Sequence, residues 1–129
     1  MKIEHFAINV PDPVAMADWY VAHLGMKIIR QQDVAPYMTF LADDSGQVMI
    51  EIYQNDAAPV PDYPDQSPLV VHLAFVTHDP KGDKLRLQKA GAREDSDDIT
   101  PSGDHLIMLR DPWGFPLQLC KRKMSMLKL

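Results

Sequence analysis

Four residues carry the types and spacing of a metal site: His5, Glu51, His72 and Gln118. The two histidines stand 67 residues apart (72 − 5), and the same offset carries Glu51 onto Gln118. Two imidazoles, a carboxylate and an amide oxygen are a ligand set suited to a divalent transition metal, provided that the fold brings them to one point. Each histidine lies in an otherwise apolar run, HFAINV from His5 and VVHLAF over 70–75. An imidazole in such a run is either satisfied by a core hydrogen bond or put to use.

The elements that would position these residues repeat once along the chain. HFAINVPDP and HLAFVTHDP both read His-x-Ala and reach Asp-Pro at the same spacing, Asp12-Pro13 and Asp79-Pro80. Asp suits a helix N-cap and Pro the first turn, and the segments PVAMADWYVAHLG and PKGDKLRLQKAG end at glycines, Gly25 and Gly91, that suit helix exits. MKIIRQQ, YMTFLAD and QVMIEIY follow the first helix; REDSDDI (weak), HLIMLRD and PLQLCKR follow the second. Turn signals DDSG at 43–46 and DPWG at 111–114 punctuate them. Each half therefore reads strand, helix, strand, strand, strand.

These halves predict one domain of two modules, about 1–56 and 69–122. A proline-rich linker of about 57–68 joins them, and a short basic tail, 123–129, ends the chain. The fold class predicted is α+β: two βαβββ modules whose mixed sheet curls around a cavity, with the helices on the outer face.

Strand alternation separates two faces. Phe6, Ile8, Val10, Ile50, Ile52, Val71, Leu73, Phe75, Leu117 and Leu119 share an apolar parity that should meet the helices. The other parity holds His5, Ala7 and Asn9, Met49, Glu51 and Tyr53, His72 and Ala74, and Gln118 and Cys120. Burying His, Glu and Gln without partners would cost several kcal/mol, about 2–7 for each neutral group, and Ala and Met are poor choices for plain solvent surface. A lined cavity fits this face, and a pseudo-twofold relation between the halves would gather the four candidate ligands there.

Other residues are candidates for substrate contact, each with a plainer alternative. Asn9 and Tyr53 share the cavity parity and would orient substrate or serve as structural hydrogen-bonders. Met49 and Trp113, with Met38 and Phe40, would line an apolar pocket or pack in the core. His105 falls near the pocket mouth, while His23 and His78 fall at element ends and should be solvated. The acidic run EDSDDI reads as a solvated loop or edge strand.

Composition narrows the function. A formal net charge of −5, with Lys and Arg scattered along the chain, offers no basic field for nucleic acid. No apolar run approaches the roughly 20 residues that span a bilayer, and MKIEHFAINV has no signal-peptide core, so a cytoplasmic protein without membrane contact is expected. The single cysteine, Cys120, cannot form an internal disulfide. KRKMSMLKL reads as a solvated tail or a dimer contact.

HFAINVPDP, the helix ending WYVAHLG, the strand MIEIY, VVHLAF and LRDPWGFPLQL together resemble the vicinal oxygen chelate superfamily of glyoxalase I, bleomycin-resistance proteins and extradiol dioxygenases. The resemblance covers roughly residues 1–122. It implies paired βαβββ modules around a metal, commonly in a homodimer, and a small-molecule substrate chelated through two oxygens. It assigns the ligands to His5, Glu51, His72 and Gln118, the metal to nickel, zinc, cobalt, manganese or iron, and the activity to a lyase or isomerase of the glyoxalase type. The last-strand ligand is usually a glutamate; with Gln118 there, Glu51 is left as the only carboxylate and the catalytic base. Alternatives within the resemblance are a metal-free, bleomycin-resistance-like binding protein and an extradiol-type dioxygenase.

Overall fold

The computed structural model describes residues 1–126; the end of the basic tail, 127–129, lies outside the described residues. The chain divides into two compact units, Met1–Pro61 and Asp62–Leu129. Unit 1 contains β1 (His5–Asn9), α1 (Pro13–Leu24), β2 (Lys27–Gln31), β3 (Thr39–Ala42) and β4 (Met49–Tyr53); unit 2 contains β5 (Leu73–Val76), α2 (Pro80–Lys89), β6 (Arg93–Ile99), β7 (His105–Arg110) and β8 (Pro116–Lys121). The order is βαβββ twice, as the repeat predicts.

Each unit forms one four-stranded mixed sheet, ordered β1-β4-β3-β2 and β5-β8-β7-β6. In both, the first strand runs parallel to the last and the remaining pairs are antiparallel. Even the register repeats: Ala7 lies opposite Glu51, and Ala74 opposite Gln118. Both outer hairpins carry an irregularity in the second strand, between Ile28 and Arg30 and between Glu94 and Ser96.

The helices start where the sequence says they should. An Asp12 side-chain oxygen accepts from the Ala15 N–H at 3.0 Å, and Asp79 accepts from Gly82 at 3.1 Å, with a proline opening each helix. α1 ends on Gly25 in the left-handed region (φ 70°), a conformation that favours glycine. α2 ends one residue earlier than its glycine: Ala90 is the cap, and Gly91 (φ 102°) turns the chain after it.

α1 packs on β2, β3 and β4, burying Met16, Ala17 and Tyr20 completely above a floor that includes Leu41, Ile50 and Ile52. α2 packs on β6, β7 and β8, but Leu87 is its one fully buried side chain, over Ile107, Leu109, Leu117 and Leu119. The apolar parity is thus the helix face. It thins at the edge strands, where Phe6 is exposed and Leu73 and Phe75 are only half-buried.

One boundary differs from the sequence reading. β5 begins at Leu73, not at Val70, because residues 67–70 fold into a turn in which the Ser67 carbonyl accepts from the Val70 N–H at 3.0 Å. His72 therefore precedes the strand.

The proline-rich segment is tied down at both ends. In unit 1 the Asn9 amide donates to the carbonyls of Asn55 (3.0 Å) and Ala58 (2.8 Å) while its oxygen accepts from the Asn55 N–H (2.8 Å). In unit 2 the buried Arg110 donates to the carbonyls of Tyr63, Gln66 and Gly114 and pairs through Nε with Asp95 at 2.7 Å. Gly114 closes against Pro64 so tightly that a Cβ there would lie 2.5 Å from the proline ring.

Candidate metal and substrate site

Glu51 sits near the middle of the first sheet's open face, its side chain 12% exposed, between Ala7 on β1 and Phe40 on β3. His5 enters the same face one step diagonally away. Its Nε2 lies 3.4 Å from Glu51 Oε2, its ring stands edge-on to Phe40 with centroids 5.4 Å apart, and its Nδ1 lies 2.6 Å from the Glu4 carboxylate. A carboxylate only accepts, and both His5 nitrogens face one, Glu4 at 2.6 Å and Glu51 at 3.4 Å; a His5 with its single proton on the nearer side, Nδ1, would offer Nε2 as a ligand to a metal.

His72 is prepared the same way by a different partner. Its Nδ1 lies 2.8 Å from the Pro68 carbonyl oxygen, which calls for a proton on Nδ1 and, in the neutral ring, leaves the Nε2 lone pair free. Gln118 is half-buried on the second sheet's open face, where its Oε1 accepts from the Cys120 thiol at 3.1 Å. Burial pushes the Cys120 thiol pKa up, which keeps that proton in place. An amide oxygen has a second lone pair, so this bond does not exhaust it.

Imidazole, carboxylate and amide oxygen are donor types that suit a divalent transition metal. Unit 1 brings His5 and Glu51 together, while unit 2 gives Gln118 the register position of Glu51. Among the described residues, no group of three or more His, Cys, Asp and Glu side chains is placed to hold an ion.

The remaining candidates divide. Met49 and Tyr53 are half-buried on the open face of unit 1, in step with Glu51. Asn9 shares that parity, but its amide is committed to Asn55 and Ala58, so it fastens the chain after β4. His105 lies elsewhere: its Nε2 lies 2.6 Å from Asp97, which also pairs with Lys84 of α2. That network belongs to the helix side of the sheet, because Asp97 lies opposite the fully buried Ile107. Trp113 is half-buried in the 111–114 turn, its N–H bonded to Asp111. His23 rests its ring near Trp19 (5.2 Å) rather than standing free, while His78 is exposed.

Sequence reasoning missed Glu4 and Pro68, the groups that set the histidine tautomers. Glu4 is adjacent to His5, and an acid beside a candidate ligand is a readable signal; the Pro68 contact is made by backbone oxygen, which no side-chain type announces.

Residues 2–119 match the Glyoxalase/Bleomycin resistance protein/Dioxygenase superfamily. No curated protein matches the chain. Among solved structures, a superfamily member from Sphaerobacter thermophilus DSM 20745 aligns with a TM-score of 0.74 at 16% identity, over 95% of this chain and 98% of its own. A glyoxalase family protein from Enterococcus faecalis aligns with a TM-score of 0.68 at 28% identity, over 93% and 97%. TnmS3, an antibiotic binding protein from Streptomyces sp. CB03234, aligns with a TM-score of 0.70 at 21% identity, over 92% and 93%. With a repeated βαβββ unit, a repeated register and a family match spanning nearly its whole length, the chain is a member of the glyoxalase/bleomycin resistance protein/dioxygenase superfamily.

Proposed function

We propose that the chain is a metal-dependent lyase or isomerase acting on a small oxygenated metabolite, with His5, Glu51, His72 and Gln118 as the ligands of nickel, zinc, cobalt, manganese or iron. The observation that carries this reading is the matched preparation of the two histidines. Both have Nδ1 beside an oxygen acceptor, at 2.6 Å in His5 and 2.8 Å in His72, an arrangement that supports Nε2 as the ligating nitrogen in each.

When bound, a divalent metal supplies Lewis acidity that stabilises negative charge on a substrate oxygen. Glu51 then holds and moves the proton. It is the only carboxylate of the set, its side chain is largely shielded, and its near polar neighbour is His5 Nε2. Gln118 cannot take a proton at neutral pH, so Glu51 both removes and returns it, and the reaction is one-sided. Met49 and Tyr53, on the same face, would bound the substrate beside Glu51.

The test is solvent deuterium uptake into the acidic C–H of 2-hydroxyketones and of hemithioacetals of 2-oxoaldehydes, using metal-reconstituted protein. Glu51→Gln should abolish uptake. Undiminished uptake in that variant would remove Glu51 from the role. Assembly as a homodimer belongs to the same reading, supported by Phe6 standing 53% exposed on the edge strand β1, and sedimentation velocity checks it.

One observation favours a second reading, a metal-free protein that sequesters a ligand in the same cavity. The site has a single carboxylate, and no group of three acids, histidines or cysteines gathers among the described residues. Ligand binding undiminished by His5→Ala and by chelator would select it.

A further inference from the structure

The acidic run of β6 is not uniform. Its strand positions, with the irregularity at Asp95, turn Glu94 and Asp97 toward α2, where Lys84 Nζ lies 3.1 Å from Glu94 and pairs with Asp97. Asp97 also holds His105, and Asp95 holds Arg110. Three of the four acids in this strand are thus matched by a base. Asp98 is the fourth, and among the described residues it has no ion pair or side-chain hydrogen bond.

Asp98 also faces the other way. It lies opposite Leu106, as Ser96 lies opposite Met108 and Met108 opposite Gln118, which puts all of them on the open face of the second sheet. There they line a cavity of about 460 Å³ that Leu69, 87% exposed, helps to wall. No Lys, Arg or His lines it, and the one other acid, Asp95, is already neutralised by Arg110. The cavity therefore combines apolar walls, the Gln118 amide, a serine hydroxyl and a single uncompensated carboxylate. Asp98 is exposed, so its pull is modest, but beside apolar walls and with no base nearby it favours a cation on an apolar stem over an anion.

We propose that this cavity is the specificity pocket of the site and that it receives an amine, amidine or guanidine group of the ligand, with Asp98 as its counter-ion and Leu69, Leu106 and Met108 along its stem. The inference rests on the proposed function only in taking Gln118 to face the substrate; the metal is not needed for it. It assigns a recognition role to a run that sequence alone gave to solvent.

The experiment titrates the full chain at pH 7, without added metal, with 2-phenylethylammonium, 2-phenylethanol and phenylacetate. Binding is followed by calorimetry and by the NMR shift of the Met108 methyl group. The ammonium should bind about fivefold tighter than the alcohol, and phenylacetate weakest. Asp98→Asn should erase the preference, Asp98→Glu should restore it, and Asp97→Asn, on the opposite face, should leave it intact. Equal affinity for ammonium and alcohol, a preference that survives Asp98→Asn, or no binding of the ammonium would each overturn the proposal. Because the titration contains no metal, its outcome decides the amine pocket independently of the metal reading.

Discussion

The two units share topology and strand register, yet they are held together by different means. Unit 1 relies on an apolar helix: α1 buries Met16, Ala17, Trp19 and Tyr20. Unit 2 has a polar one, PKGDKLRLQK, which buries Leu87 and its opening proline and anchors the rest through Lys84 to Glu94 and Asp97. Its sheet adds Arg110, an almost fully buried guanidinium serving four partners. The same backbone thus carries an apolar helix in one copy and, over a similarly apolar sheet floor, a polar helix with ion pairs in the other. What the two copies hold in common is the topology, the Asp-Pro helix starts and the register that sets Glu51 opposite Ala7 and Gln118 opposite Ala74.

The contrast makes ordered predictions. The largest effect is expected in unit 1, where Tyr20→Ala should cost about 4 kcal/mol, because it opens a cavity the size of a phenol ring in the apolar layer; urea unfolding measures it. In unit 2 the counterpart is Arg110→Met, at roughly 3 kcal/mol, since it strands three backbone acceptors and the Asp95 carboxylate. If Tyr20→Ala proved mild while α2 substitutions proved severe, the division of labour would be reversed. Asn9→Ala should follow at about 2 kcal/mol, from the loss of three hydrogen bonds partly offset by water, with proteolysis after β4 accelerated.

Smaller still is the response to acid, which sharpens the comparison by singling out unit 2. The hydrogen bonds from Lys84 and then His105 hold the Asp97 carboxyl below its usual range, and the Lys123 N–H followed by the Arg122 guanidinium does the same for Asp104. Carboxyls depressed in the folded state contribute stability that is fully present above the unfolded value, near 3.9, and is lost as pH falls through the folded ones. Unfolding midpoints measured from pH 7 down to pH 3 should therefore drop below about pH 4. Asp97→Asn should flatten part of that limb and lower stability at pH 7 by the same small amount, because the pair is exposed.

Much of this architecture was legible in the sequence, for identifiable reasons. The offset between His5 and His72, the Asp-Pro starts and strict alternation are local signals, and they gave both βαβββ units and the helix face. The acidic strand β6 and the start of β5 were harder. REDSDDI lacks apolar alternation and forms a strand because β7 pairs with it, and VVHLAF looks like a strand from Val70 although the Ser67 turn delays it to Leu73.

The candidate residues were legible by type but their partners were not. Parity put His5 and Glu51 on one face, yet only the fold shows their 3.4 Å approach and the oxygen acceptors that set each imidazole. His105 and Asn9 illustrate the converse. Each has a side chain capable of site chemistry, and each is engaged structurally, by Asp97 and by the 55–58 turn, through contacts that no spacing rule anticipates.

The central proposal is that the chain binds one divalent metal through His5, Glu51, His72 and Gln118, and metal stoichiometry tests it most directly. The full chain, purified without a metal-affinity tag and reconstituted separately with nickel, cobalt and zinc, would be analysed for bound metal beside His5→Ala/His72→Ala. The account predicts about one equivalent per chain in the parent and none in the double variant, with both folded by circular dichroism. Equal metal in the two proteins, or none in the parent, would contradict it.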